Sequence, residues 1–439
     1  MSTRCRNACA DDDATLAAAS LNRQCGCSVV APAQLHARIV HVLQDTAGLD
    51  PTRHAHLFAP QALFVDRDSL ATMEHITRAL FAVSHAPAYA ERVLAWAPPI
   101  ARHDPRSPGG VIGLDFHLTE RGPRLIEINT NPGGLLLNAF ALDAVESCMP
   151  HAWTTTTSTD AAVAAGTRAW LDEAKAQLGY APSRMAIVDE DPPAQFLYPE
   201  FHLYRQAFEQ HGVPCTIHAP AALSWDGHAL RDAGGVVDFV YNRLTDFALD
   251  AAGSAALATA YRQGAVALSP HPRAHALLAD KRNMAVLGNR DFLLSLGLTP
   301  GDATVLAGSI PPTVQVTADN REALWADRAQ YFFKPANGYG SRGSYRGDKL
   351  TRRVWETIAG ADYVAQAFEP PGVRISASGI PLKTDVRCYA TERGVILFAA
   401  RLYQGQTTNM RTPQGGFAAV LTTRGEASGM LRKRSPSHS

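Results

Sequence analysis

Gly113-Leu-Asp115-Phe-His-Leu-Thr-Glu-Arg-Gly-Pro-Arg-Leu-Ile-Glu127-Ile-Asn129-Thr-Asn131-Pro-Gly133-Gly134 reads as two strands around a turn. Val111 to Leu118 and Arg124 to Asn129 alternate in polarity, and Thr119 to Gly122 carries the turn signal. Residues two apart on a strand share a face, so Glu127 and Asn129 point one way and Ile126 and Ile128 point into the core. A turn near Arg121 sets Asp115 opposite Glu127. Opposed carboxylates repel and need compensation. A hard divalent cation is the simplest compensation, since Mg²⁺ takes carboxylate, phosphate and water oxygens. The plainer alternative is a solvated hairpin face, with Asn131 to Gly134 as an ordinary turn.

A second constellation lies about 200 residues further on. Phe332-Phe333-Lys334-Pro335 is an apolar strand ending in a lysine, followed at once by Ala336-Asn-Gly338-Tyr-Gly340-Ser341-Arg-Gly343-Ser344. Glycines let backbone amides approach an anion, and the adjacent lysine adds a point charge suited to phosphate. Gly338, Gly340 and Gly343 spell the dinucleotide fingerprint, but Lys-Pro intervenes after the strand and Asp362 precedes its strand, which rules that reading out. No Gly-Lys-Ser/Thr is present, so it is not a Walker A loop. A glycine flap over a triphosphate fits, with a plain surface loop as the alternative. Lys281, in Ala279-Asp280-Lys281-Arg282, is placed on a helix.

A third group is basic and amide-rich. Asp385 and Arg387 share a strand face, Arg401 ends the next strand, and Gln404 to Phe417 forms a loop containing Asn409, Gly415 and Gly416. Arginine suits planar recognition of carboxylate or phosphoryl oxygen. A surface hairpin with salt bridges is the plainer alternative. Arg243, at the end of a strand in Tyr241-Asn-Arg243, is a weaker candidate of the same kind.

The 439 residues call for two or three domains. Hydrophobic residues are 46% and charged residues 19%, which supplies a core and excludes a disordered chain. Lys+Arg and Asp+Glu are 41 each, so no global basic field argues for nucleic acid or a membrane surface. No apolar run is long enough to span a bilayer, and the start resembles no signal peptide, so a cytoplasmic protein is expected. Seven cysteines fit a reducing compartment. Cys5, Cys9, Cys25 and Cys27 have no familiar zinc spacing. Residues 1–30 read as a flexible tail, 31–110 as a helical region and 160–270 as a small parallel α/β domain. Residues 421–439 read as a disordered tail.

Together these motifs resemble the ATP-grasp superfamily of carboxylate–amine ligases. The resemblance implies an α/β (α+β) ATP-grasp fold with a circularly permuted element order, similar to eukaryotic-type glutathione synthetases, because the acidic hairpin precedes Lys281 by about 150 residues. It implies a metal-binding hairpin at 111–150, a flap lobe at 276–345 and the rest of the C-lobe at 346–420. It implies ATP with Mg²⁺ or Mn²⁺ as cofactors, with Asp115, Glu127 and Asn129 as metal ligands. Lys281, Lys334, Gly338, Gly340, Ser341, Gly343, Gln366, Phe368 and Glu369 would hold the nucleotide. Arg401 and Lys334 would be catalytic, and Arg243, Asp385, Arg387, Asn409, Gly415 and Gly416 would meet a small-molecule or peptide substrate. The resemblance leaves room for a homodimer. Rival readings are a phosphotransferase or a non-catalytic nucleotide-binding protein of the same architecture.

Overall fold

The structure is a computed structural model that describes residues 18–25, 57–145, 152–338, 340, 343–409 and 412–424. The acidic hairpin forms as read, with strands Ile112–Thr119 and Gly122–Asn129. It is the outer part of an eight-stranded sheet whose path runs Leu63–Phe64, Gly416–Thr423, Gly394–Tyr403, Pro381–Thr391, then the hairpin. Alternation along these strands decides what each face buries. Leu114, Phe116, Val386, Cys388, Ala400 and Leu402 pack against helices Arg67–Ser84 and Pro300–Ser309. Tyr389, Leu397, Ala399 and Phe417 face the other way, against helices Leu135–Ala141 and Thr159–Leu178. On that second face, residues 115, 127, 385, 387 and 401 are charged, and they bring the polar end of the sheet to the cleft.

A four-stranded parallel sheet runs Ala267–Ser269, Phe239–Asn242, Met185–Val188, Cys215–His218. It corresponds to the small α/β domain expected over 160–270. A separate antiparallel sheet of Thr313–Gln315, Tyr363–Ala367, Tyr331–Pro335 and Tyr345–Arg346 forms the smaller lobe. Its core is Phe333, Trp355, Ile358 and Ala365. Phe333 is buried there, so its neighbours Phe332 and Lys334 point to the opposite face.

Five expectations are corrected. Residues 1–30 include helix Ala18–Gln24, whose Leu21 and Asn22 are buried; Asn22 exchanges two hydrogen bonds with the Phe64 backbone. The small lobe does not end at 345, because Tyr363–Ala367 pairs with Tyr331–Pro335. Residues 276–310 pack on the large sheet instead, through Leu278, Leu287 and Leu306. Lys281 sits in a turn between His275–Ala279 and Asn283–Leu287, not on a helix. The last strand, Gly416–Thr423, was read as loop and tail; its small and β-branched residues gave a weak signal that sheet pairing overrides. Cys25 is buried, while Cys5, Cys9 and Cys27 lie outside the described residues.

Gly416 has φ of +118°, and a Cβ there would stand 2.4 Å from the Leu57 carbonyl oxygen. Gly416→Ala is therefore expected to destabilise the fold by about 2 kcal/mol or more, read as a lowered thermal midpoint. An unchanged midpoint would contradict this packing.

Candidate active site

The hairpin register places Asp115 opposite Glu127 and Gly113 opposite Asn129. Beyond Asp115 the pairing slips by one residue, so Phe116 faces Leu125 and Ile126 is the extra residue of a bulge. The slip reverses the facing of what precedes it. Leu125 and Ile128 enter the core, and Ile126, expected there, lines the cleft instead. Its carbonyl oxygen accepts a hydrogen bond from Lys334 Nζ at 2.9 Å.

The cleft lies between the two lobes and holds about 910 Å³ of empty space, partly open to solvent. The large sheet contributes Asp115, Glu127, Asp385 and Arg401, and the other lobe contributes Phe332, Lys334 and Gln366. Lys281 and Phe368 complete the wall.

The opposed carboxylates are compensated by cationic side chains. Arg387 grips Asp115 with Nε–Oδ1 at 2.6 Å and Nη2–Oδ2 at 2.7 Å, and Arg401 Nη2 adds a third contact at 2.8 Å. Burial alone would raise the Asp115 carboxyl, but Arg387 and Arg401 hold it at about 2. Lys281 Nζ meets Glu127 Oε1 at 3.1 Å and donates to the Gly338 carbonyl at 2.7 Å. Burial opposes ionisation of Glu127, and Lys281 and Lys334 outweigh it, so its carboxyl lies below the ordinary range. Lys334 also donates to Gln366 Oε1 at 2.8 Å, and burial lowers its ammonium to about 8. Arg401 Nε contacts Asp385 Oδ1 at 2.6 Å, and the Thr408 hydroxyl donates to Asp385 Oδ2 at 2.9 Å. Burial disfavours the Arg401 charge, but Asp115 and Asp385 outweigh it and raise its pKa.

The other sequence candidates divide. Gly338 and Phe368 line the cleft, and the Arg346 guanidinium lies 4.3 Å from the Phe368 ring centroid. Gly340 and Gly343 belong to the same loop but are not part of the wall, and Ser341 is outside the described residues. Gln366 points its side chain at Lys334. The Glu369 carboxylate is taken up by Arg121 Nη2 at 2.6 Å and Arg124 Nε at 3.3 Å, which ties the segment after Tyr363–Ala367 to the hairpin. Arg387 stands behind Asp115 and does not line the cleft. Arg243 is elsewhere, at the end of the parallel sheet, donating to Asn131 and to the Tyr241 hydroxyl. Asn409 follows the cleft residues Gln406 to Thr408 without joining the wall, and its carbonyl accepts from Thr412. Gly415 and Gly416 serve close packing against Leu402 and Leu57. Of the expected substrate residues, Asp385 alone lines this cleft.

Sequence reading missed Arg121, Arg124, Ile126 and Thr408. The arginines' partner is more than 240 residues away, and the bulge has no glycine or proline to announce it.

The chemistry of the donor set tests for a metal. Among the described residues no group of three His, Cys, Asp or Glu side chains could hold an ion. Asp115 does not fit as a ligand, because both its oxygens are occupied by guanidinium groups. Glu127 and Asn129 do fit the one or two protein ligands of a nucleotide-borne Mg²⁺. No donor among the described residues engages Glu127 Oε2 or the Asn129 side-chain oxygen.

No protein-family profile and no curated protein sequence matches the chain. Among solved structures, it is similar to a glutathione synthetase-like effector from Globodera pallida in its apo form. The TM-score is 0.53 at 11% identity, covering 89% of this chain and 97% of that one. A gamma-glutamylcysteine synthetase-like protein from Methylobacillus flagellatus gives 0.44 at 10% identity, covering 78% and 85%. The ATP-grasp ligase PsnB, complexed with a minimal precursor, gives 0.29 at 14% identity, covering 57% and 92%. The chain has an ATP-grasp-like fold. No described helix is long and apolar enough to cross a membrane.

The buried Lys334 makes stability depend on pH. Its folded pKa of about 8 lies below the ordinary lysine value, so between them the unfolded chain binds more protons and stability rises with pH. Denaturant unfolding of wild type and Lys334→Met from pH 7 to 10.5 is expected to show wild type gaining on the variant above pH 8. Parallel pH profiles would refute that burial.

Proposed function

We propose that this protein, which has an ATP-grasp-like fold, is an ATP-dependent ligase joining a carboxylate to an amine with release of ADP and phosphate. An amino acid or small peptide would be its substrate. The supporting observation is the convergence of Lys281 and Lys334 on the face carrying Glu127 and Arg401, in one cleft. Two lysines, a carboxylate and an arginine from separate segments serve phosphoryl transfer, where positioning and charge stabilisation supply most of the catalysis.

In this reading the triphosphate lies across Lys281 and Lys334, which exchange their contacts with Glu127, Gly338 and Ile126 for phosphate oxygens. Glu127 and Asn129 would hold a magnesium ion brought by the nucleotide, which would supply charge neutralisation at the phosphates. A substrate carboxylate oxygen attacks the γ-phosphorus as the bond to the ADP oxygen breaks. The free amine nitrogen then attacks the acyl carbon, phosphate departs with its oxygen, and the nitrogen loses a proton. Arg401 offers its guanidinium to the transferring phosphoryl group. The walls between the lobes keep water from the acyl phosphate. Phe332 and Phe368 supply aromatic surface for the base.

ADP formation with a panel of amino acids and small peptides tests this reading. Glu127→Gln and Lys334→Ala are each expected to lower turnover by about a hundredfold. An amide product by mass supports a ligase. A phosphorylated product formed without an amine would make it a phosphotransferase, and nucleotide binding without ADP release a binding protein.

A further inference from the structure

We infer that Asp115 is a positioning residue that aims Arg401 into the cleft, and that it is not a metal ligand. The role given to Arg401 rests on the ligase reading; the placement of Asp115 rests on geometry alone.

Four donors converge on this one carboxylate. Arg387 provides two parallel bonds, at 2.6 and 2.7 Å. Arg401 Nη2 lies 2.8 Å from Oδ2, and Asn129 Nδ2 donates to Oδ2 at 3.1 Å. Three of the four donors meet Oδ2 and one meets Oδ1, so of the about four lone-pair sites of an ionised carboxylate only one, on Oδ1, is left. A divalent ion here would also stand against two guanidinium charges. Asp115 and Arg387 are register partners on adjacent strands, and both are buried, so the two-pronged grip is built into the sheet.

The outcome is an arginine held at two points. Asp115 takes its Nη2, and Asp385 takes its Nε at 2.6 Å. Asp385 is in turn the register partner of Arg401 and is steadied by the Thr408 hydroxyl. Among the described residues Arg401 Nη1 has no partner, and the side chain lines the cleft. Ordering an arginine costs rotamer entropy; here that ordering precedes the ligand. The exposed donor is thereby set for one class of ligand, an anionic oxygen of a phosphoryl group. Arg387 acts one step further back, by fixing Asp115.

Two measurements on the full chain decide the matter. In the first, Mn²⁺ binding in the presence of ADP is followed by electron paramagnetic resonance. Asp115→Asn is expected to stay within twofold of wild type, whereas Glu127→Gln weakens binding about tenfold. Weakening by Asp115→Asn as large as that of Glu127→Gln overturns the inference. The second needs no nucleotide. The Arg401 side-chain Nη–H signal in ¹⁵N-labelled protein, assigned by its loss in Arg401→Lys, is expected to lose its protection from solvent exchange in Asp115→Asn, which removes the charged partner of Nη2. A signal still protected there overturns the inference as well. If wild type binds no Mn²⁺–ADP, the ligase reading falls and the exchange measurement alone decides the role of Asp115.

Where turnover is measurable, Asp115→Asn is expected to lower kcat about a hundredfold at unchanged KM for ATP. A raised KM for ATP with kcat intact counts against the inference. Should Asp115→Asn not fold, Arg387→Lys keeps both charges and breaks the fork. The same pattern, loss of Arg401 Nη–H protection with Mn²⁺–ADP affinity kept, is expected there, and its absence overturns the inference.

Discussion

A carboxylate that cannot be left alone organises this molecule. Asp115 lies one strand in from the edge of a large sheet, opposite another acid and buried. An uncompensated charge in that position would cost several kcal/mol. The neighbouring strands answer it with Arg387 and Arg401, and Asp385 then balances the second arginine. The result is an alternating row of charges, acid and base, set by the register of three adjacent strands. The same pairing that closes the sheet therefore builds the chemically active face.

The second constraint acts between lobes. Lys281 bridges Glu127 on the large sheet to the Gly338 carbonyl on the glycine loop. Lys334 reaches from the small sheet to the Ile126 carbonyl. That carbonyl is available because the bulge leaves it out of the ladder, so a local irregularity in one strand becomes the docking point of another lobe. The segment after Tyr363–Ala367 is fastened separately, where Arg121 and Arg124 take the Glu369 carboxylate. Each contact joins a buried or half-buried charge to a partner far away in sequence. Lobe placement is thereby tied to charge satisfaction.

Alternation explains why the cleft lies where it does. Along Gly394–Tyr403, Phe398, Ala400 and Leu402 face one layer of helices while Leu397 and Ala399 face the other. The second layer covers only part of its face. Where it stops, the outward positions switch from apolar to charged, and the small lobe stands over them.

The amino-acid sequence was sufficient for whatever depends on neighbours along the chain. Period-two patterning gave the hairpin, the pairing of Asp115 with Glu127, the parallel strands after residue 185 and the strand carrying Lys334, because side-chain direction along a strand is a local property. Charge type and spacing singled out Lys334, Glu127 and Arg401, whereas Lys281 drew notice only through the family resemblance. What the sequence could not supply was the identity of each partner. Opposed acids called for compensation, and a metal and a pair of arginines satisfy that demand equally well on paper; only the register of Pro381–Thr391 against Ile112–Thr119 chose the arginines for Asp115. The bulge at Ile126, the capture of Glu369 and the burial of Gly416 under Leu57 are likewise decided by segments that meet only when folded. Tertiary structure settles these points because a buried polar group is satisfied by what surrounds it in space, and distance along the chain carries no record of that.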